Sequence, residues 1–262
     1  MGELVDVGGH RLATVVSGRA GAPWITLSNS LATTYRMWDP QMALLEPHFR
    51  ILRYDTRGHG ASDVPAGPYD FAGLVADVIA LLDHYGIGRT DFMGLSIGGM
   101  TGLGLAIGHG DRLNRLICAD ARADATPQYV KTWDDRAAMM DEGGVAAVWP
   151  STRGRWLVQA PETVVDRLKA DYMAMPVEGL KACGTALQGL DYLRDIHRIS
   201  TPTLYIGGDS DAGASPEVMR QLADATEGAR YHAVARAGHI ANVDNPADFN
   251  AAIAGFLAIP DR

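Results

Sequence analysis

A serine set between glycines, Gly94-Leu95-Ser96-Ile97-Gly98-Gly99, is the stretch of this chain best suited to covalent chemistry. The apolar run Asp91-Phe92-Met93 leads into it, and a Gly-, Leu- and Ala-rich segment, Ile97 to Gly108, follows. The pattern reads as a strand turning abruptly into a helix, with Ser96 raised above the sheet at the turn. Gly94 and Gly98 leave room for the strained backbone that such a turn requires, and the first N–H groups of the following helix favour negative charge developing beside the serine. A serine hydroxyl is a poor nucleophile at neutral pH. It needs a base, usually a histidine whose tautomer is fixed by a carboxylate. Asp211 follows a strand-like run ending at Gly207-Gly208, and His239 follows another ending at Val234, within Ala237-Gly238-His239-Ile240-Ala241-Asn242. Ser, then Asp, then His, each just beyond a strand end, is the chain order expected for a serine on such a turn.

For the acid, Asp211 ranks first and Asp120, at the end of the sixth strand-like run, ranks second; Asp209 also competes. The other seven histidines fall in a hairpin turn, near helix ends, on strands or, for His59, upstream of the serine in the tight loop Thr56-Arg57-Gly58-His59-Gly60-Ala61-Ser62, where a structural role is expected. An acyl-transferring serine also needs two donors aimed at the oxyanion. The backbone N–H of Ile97, next to the nucleophile, supplies one, and that of Leu31, in the polar loop Asn29-Ser30-Leu31 after the third strand, is the candidate for the other.

The elements that must position these groups alternate. Leu4–Val7 and Leu12–Ser17 flank Gly8-Gly9-His10 as a hairpin, and strands are expected at 24–28, 51–55, 91–95, 113–119, 203–207 and 229–234. Helices are expected at 38–45, 71–85, 97–108, 216–225 and 246–257. This order predicts an α/β fold with a mostly parallel sheet covered by helices on both faces, and sites at the carboxyl ends of its strands. From 121 to 199 the pattern is helical only, around 130–142, 161–173 and 177–190, punctuated by Gly143-Gly144, Pro150, Pro161 and Pro176. A helical cap at 121–199 is therefore expected, inserted into a core domain made of 1–120 and 200–262.

The composition narrows the function classes. At 262 residues, 47% hydrophobic and 21% charged, with no apolar run of about 18 residues, the chain reads as a globular protein without a membrane span. A net charge of −8 and the lack of a basic stripe interleaved with aromatics argue against nucleic acid as a partner. The start, Met1-Gly2-Glu3-Leu4-Val5-Asp6, has neither the basic nor the apolar region of a secretion signal, so a cytoplasmic location is expected. Cys118 and Cys183 lie in apolar surroundings far apart in sequence and without metal-ligand spacing, which suggests buried thiols and no metal site. Nothing in the chain calls for a cofactor, and nothing in it fixes an oligomeric state.

The motifs at 94–99, 55–62, Gly208-Asp209-Ser210-Asp211 and Gly238-His239 together resemble the α/β-hydrolase superfamily along the whole chain. Leu27-Ser28-Asn29-Ser30-Leu31, Met37-Trp38-Asp39-Pro40-Gln41 and Leu52-Arg53-Tyr54-Asp55-Thr56-Arg57-Gly58-His59-Gly60 are similar to the 3-oxoadipate enol-lactonases, which open a small anionic enol-lactone in aromatic degradation. The resemblance implies a cofactor-free α/β-hydrolase fold acting on a small lactone or carboxylic ester. It also implies that the histidine of the 55–60 loop is no member of a triad. A general carboxylesterase or a hydrolase of carbon–carbon bonds would use the same residues, and a non-catalytic small-ligand receptor on this fold is the alternative of another class. Two departures stand out: Ala32 occupies a position where those lactonases usually have glycine, and Asp120-Ala121-Arg122-Ala123-Asp124 replaces an Asn-Thr-Ala-type run. Tyr129, Trp133, Trp149 and Trp156 could line an apolar pocket, Ser30 is a further candidate for substrate contact, and Arg122 first and Arg136 second could pair a substrate carboxylate.

Overall fold

The alternating pattern closes into one eight-stranded sheet. The computed structural model describes residues 2–260; Met1, Asp261 and Arg262, the outermost residues of the expected core domain, lie outside the described residues. The strands are β1 (Glu3–Asp6), β2 (Arg11–Gly18), β3 (Trp24–Ser28), β4 (Arg50–Tyr54), β5 (Thr90–Leu95), β6 (Leu113–Ala119), β7 (Thr203–Gly208) and β8 (Arg230–Val234). Their order in the sheet is β1-β2-β4-β3-β5-β6-β7-β8, with β2 antiparallel to both β1 and β4 and all other pairs parallel. The chain runs outward from β3 to β4 and then returns past β3 to β5. That reversal leaves a crevice outside the carboxyl ends of β3 and β5, where the Ser30 loop and Ser96 both emerge.

Both faces of the central parallel strands β3, β5 and β7 are buried, whereas β8 at the sheet edge is partly exposed. Leu52, Phe92, Leu116 and Cys118 point to one core, shared with α2 (Phe71–His84), α3 (Ile97–Gly108) and α7 (Pro216–Ala225). Ile51, Met93, Ile117 and Ala119 point to the other, shared with α1 (Asp39–Leu45) and α9 (Pro246–Leu257). Helix starts are written locally: Thr126, Ser215 and Asn245 each accept a hydrogen bond from the first turn, and each is followed by a proline at the first helical position.

Between β6 and β7 the described chain is helical apart from one isolated bridge, Asp124 to Asp191. The helices are α4 (Pro127–Trp156), α5 (Glu162–Met173) and α6 (Val177–Gln188). The first half of α4 ends where the glycines were expected to end it, at Gly144, whose φ of 63° lies outside helical space; the segment 145–156, for which no helix was expected, resumes as a helix with Pro150 inside it. The exposed Pro150 forgoes a backbone hydrogen bond, and the buried face of Val148, Trp149, Thr152 and Trp156 outweighs that loss. A further short helix, α8 (Ala241–Asp244), carries the chain away from His239, where only a loop was expected. No helix among the described residues is long and apolar enough to cross a membrane.

Asp244 ties this helical segment to the sheet. Its carboxylate is buried and accepts from the backbone N–H groups of Val158 (2.7 Å), Gln159 (2.9 Å), Ala160 (2.8 Å) and Gly238 (2.8 Å), so the chain leaving α4 and the His239 loop share one anion. Asp244→Ala orphans four donors and is expected to lower the unfolding free energy by about 3 kcal/mol or more, measured by urea titration. A loss under about 1 kcal/mol would mean that water replaces the carboxylate at little cost.

Candidate active site

β5 ends at Leu95, and the chain turns into α3 through Ser96, whose φ of 57° and ψ of −118° are rarely tolerated outside glycine. The turn is possible because its neighbours are bare. A Cβ on Gly94 would stand 2.1 Å from the Gly98 carbonyl oxygen, and one on Gly98 would stand 2.4 Å from that of Ser28. Ser96 N–H donates to Ala119 O at 2.8 Å, which fixes the turn against β6.

The strained serine meets two residues from the far half of the sheet. His239 Nε2 is 2.9 Å from Ser96 Oγ, and His239 Nδ1 is 2.6 Å from Asp211 Oδ2. All three are nearly shielded from solvent, at 7%, 3% and 2% exposure for Ser96, His239 and Asp211. Burial opposes ionisation of Asp211, but the His239 charge and hydrogen bond, Arg155 and the Gly213 N–H outweigh it and bring the carboxyl down to about 2. Burial, with Arg155 and Arg136 adding to it, depresses the His239 imidazole below its ordinary value despite the Asp211 carboxylate. The neutral ring is therefore favoured, with its proton on the nitrogen facing the carboxylate and its free lone pair facing Ser96 Oγ.

Asp120 enters the same cluster without bonding His239. Its Oδ1 accepts from Gly208 N–H at 2.8 Å and its Oδ2 makes no hydrogen bond among the described residues; burial and the charge of Asp211 push its carboxyl well above the usual range, against the opposing pull of the Gly208 and Ala241 N–H groups. Asp209 is exposed and binds Ser210 and the Ala237 N–H. Asp120, Asp211 and His239 offer ligand atoms within 4.8 Å of one another, the arrangement among the described residues most able to hold a metal ion. A cation there would have to break the 2.6 Å contact between His239 and Asp211.

The loop after β3 is held from all sides. Asn29 donates to the carbonyls of Ser30 and Thr33 and accepts from Thr56. Ser30 N–H donates to Met37 Sδ, Ala32 N–H to His59 Nε2 (2.9 Å) and Thr33 N–H to Ser30 O. Among the described residues the Leu31 N–H has no acceptor, and Ile97 opens α3, where the first N–H groups lack intrahelical partners. His59 is buried and brought down to about 4, mainly by burial; as a neutral ring it accepts from Ala32 and donates from Nδ1 to Arg57 O. Ala32 has a φ of 61°, which explains why glycine suits this position and marks a modest strain in this chain.

Ser96 and His239 open into a mostly apolar cavity. Its walls include Leu31, Met100, Met140, Val148, Trp156, Tyr172 and Leu180, with Ser30, Arg122, Tyr129, Trp133, Arg136 and Arg155 among the polar or aromatic positions. Trp149 is not part of this wall: its ring packs against those of Trp156 and Tyr172 in the core beneath. The arginines differ sharply. Arg122 lies over the Tyr129 ring and is engaged by Asp124, through its carbonyl at 2.6 Å and its carboxylate at 3.0 Å. Arg136 donates only to Thr152 Oγ1 at 3.2 Å and lies over the Trp133 ring, and burial with Arg155 nearby draws it down to about 10. Arg155 leaves its Nε without a hydrogen-bond partner among the described residues. Neither Arg136 nor Arg155 has an ion-pair partner among the described residues, although the Arg155 charge also acts on Asp211.

A family model for the alpha/beta hydrolase fold matches residues 23–246. The chain belongs to the α/β-hydrolase family. It is 36% identical over 241 residues to 3-oxoadipate enol-lactonase 2 of Acinetobacter baylyi, covering 90% of this chain and 89% of that one. The crystal structure of the enol-lactonase from Burkholderia xenovorans LB400 superposes with a TM-score of 0.93 at 36% identity, covering 98% of this chain and 100% of that chain. A thermophilic esterase from Thermogutta terrifontis, solved with malate bound, has a TM-score of 0.86 at 25% identity, covering 95% and 93%.

Within this α/β-hydrolase, the cavity residue that sequence reasoning missed is Arg155. It lies in the second half of α4, beyond a proline and two glycines that argued against a helix, and only the helical phase of 145–156 turns it toward His239. The cluster Arg153-Gly154-Arg155-Trp156, charges beside a large aromatic, was the available signal.

Proposed function

We propose that this protein hydrolyses small lactones or carboxylic esters, an anionic lactone of the 3-oxoadipate enol-lactone type being preferred, through an acyl-enzyme on Ser96. The observation that carries the reading is the continuous hydrogen-bonded row Asp211–His239–Ser96 at the wall of a cavity that also presents Arg136 and Arg155 unpaired. In this mechanism His239 Nε2 takes the Ser96 proton as Oγ bonds to the carbonyl carbon. The N–H groups of Leu31 and Ile97 receive the oxyanion, which stands at the start of α3 where the helix dipole favours it. Collapse breaks the bond to the ring oxygen, and His239 returns the proton to that oxygen, which in a lactone stays tethered to the acyl chain. Water, deprotonated by the same imidazole, then releases the acid and restores Ser96. Asp211 keeps the ring oriented and stabilises the imidazolium. The two buried thiols, Cys118 and Cys183, suit a reducing compartment such as the cytoplasm.

The second reading, a general carboxylesterase, draws on the mostly apolar wall and on the esterase among the structural neighbours. A receptor without catalysis is disfavoured by the hydrogen bond between His239 and Ser96, which a ligand-binding role does not require.

Ser96→Ala and His239→Ala are each expected to abolish turnover, and the double variant to be little worse than either, because the residues act as one unit. Asp211→Asn should cost about 10³–10⁴-fold in kcat by favouring the wrong tautomer, against a small effect for Asp120→Asn. Steady-state kinetics with a chromogenic short-chain ester reads all five, and a severe Asp120→Asn lesion with a mild Asp211→Asn one would place the acid at the end of β6 instead.

Substrate charge separates lactonase from esterase. The acid form of a lactone should exceed its methyl ester in kcat/KM, and Arg136→Gln or Arg155→Gln should each lower the acid form by about 10-fold or more while sparing the ester. Arg122→Gln should change both forms alike, since Asp124 already occupies that guanidinium. A wild-type preference for the ester would favour the esterase reading.

A further inference from the structure

His239 sits in an unusually charged shell. Asp211 bonds it from the loop after β7, Asp120 lies beside it from the end of β6, and Asp244 on α8 holds the preceding Gly238 N–H. From α4 come two cations. Arg155 is in direct backbone contact, since His239 N–H donates to its carbonyl at 3.1 Å, and its guanidinium lies against the Asp211 loop, where a Cβ on Gly213 would be 2.8 Å from Nη1. Arg136 lines the same cavity from the first half of α4. Burial and these two guanidinium groups work against imidazolium formation, the change that base catalysis demands, while the Asp211 carboxylate favours it.

We propose that the substrate carboxylate itself sets the strength of the base: seated between Arg136 and Arg155, it cancels the positive field facing His239, so the imidazole becomes fully basic only with an anionic substrate in place. This rests on the anionic-lactone reading of the cavity and adds to it a coupling between recognition and proton transfer. The sign follows from linkage. A bound carboxylate raises the proton affinity of His239, so protonating His239 must tighten carboxylate binding by the same factor. Neutral esters, filling the same space without charge, leave the field uncancelled. The preference for an acid over its ester would therefore appear in kcat as well as in KM.

The test measures the His239 ring directly and needs no turnover. Histidines are labelled with ¹⁵N, the His239 signals are assigned by their loss in His239→Ala, and the ring is titrated free, with saturating methoxyacetate, which stays ionised throughout, and with uncharged methoxyacetamide. Methoxyacetate is expected to raise the midpoint by about half a pH unit or more, and its Kd to tighten by about threefold as pH falls through that midpoint. The amide should leave the midpoint unmoved. Arg155→Gln should raise the midpoint of the free protein and shrink the methoxyacetate shift, and Arg136→Gln provides the same readout should the first variant fold poorly. Methoxyacetate that competes with substrate yet leaves the midpoint unmoved would overturn the coupling while leaving the anionic-lactone reading intact. Failure to bind at all would remove both the coupling and the carboxylate site, and loss of lactone turnover with an intact shift would count against the lactonase reading alone.

Discussion

The structure depends on one strained turn. Ser96 can hold a left-handed backbone only because Gly94, Gly98 and the Ser28 carbonyl approach more closely than any side chain would allow, with the Ser96 N–H locked onto Ala119. The same packing seats α3 against β5 and β6 and aims its N-terminus at the space above the serine. The Ser30 loop is then fixed against that space by Asn29 and by the buried neutral ring of His59, which consume its neighbouring polar groups and leave the Leu31 N–H without an acceptor among the described residues. Strain at Ser96 and Ala32 is thus concentrated where chemistry is proposed, and rigid strands on either side maintain it.

Electrostatics makes the remaining division of labour. Three acids converge on the His239 loop, and burial opposes the ionisation of two of them, Asp211 and Asp120. Asp211 stays ionised because His239, Arg155 and backbone N–H groups face it, whereas burial and the negative charge of Asp211 push the Asp120 carboxyl well above the usual range. Asp244 spends its charge on four backbone donors, joining the segment that carries Arg155 to the loop that carries His239. Placement of the cationic side chains and placement of the imidazole are therefore mechanically linked.

Much of this was legible in the sequence because strand ends are local signals. The apolar run before Ser96, the glycines around it and the loops after β7 and β8 identified the residues that meet across the sheet, and alternation alone gave the parallel strands. Three features were not legible. The choice between Asp211 and Asp120 is a matter of angstroms at neighbouring strand ends. The helix over 145–156 is written against its own propensities, with Pro150 and two flanking glycines, and exists because Val148, Trp149 and Trp156 bury their side chains. Arginine roles depend on who claims the guanidinium: Arg122, next to Asp124 in sequence, is engaged locally, while Arg136 and Arg155 are left facing the cavity by tertiary placement alone.

The central claim is that Ser96 is a nucleophile activated by His239. Treating the protein with a fluorophosphonate and locating the adduct by peptide mass spectrometry tests it most directly, because phosphonylation requires attack by the activated oxygen and the product is stable. One adduct per chain, on the peptide containing Ser96, abolished in Ser96→Ala and strongly slowed in His239→Ala, is the predicted result. Ester turnover with Ser96 unlabelled, or an adduct on another residue, would contradict it.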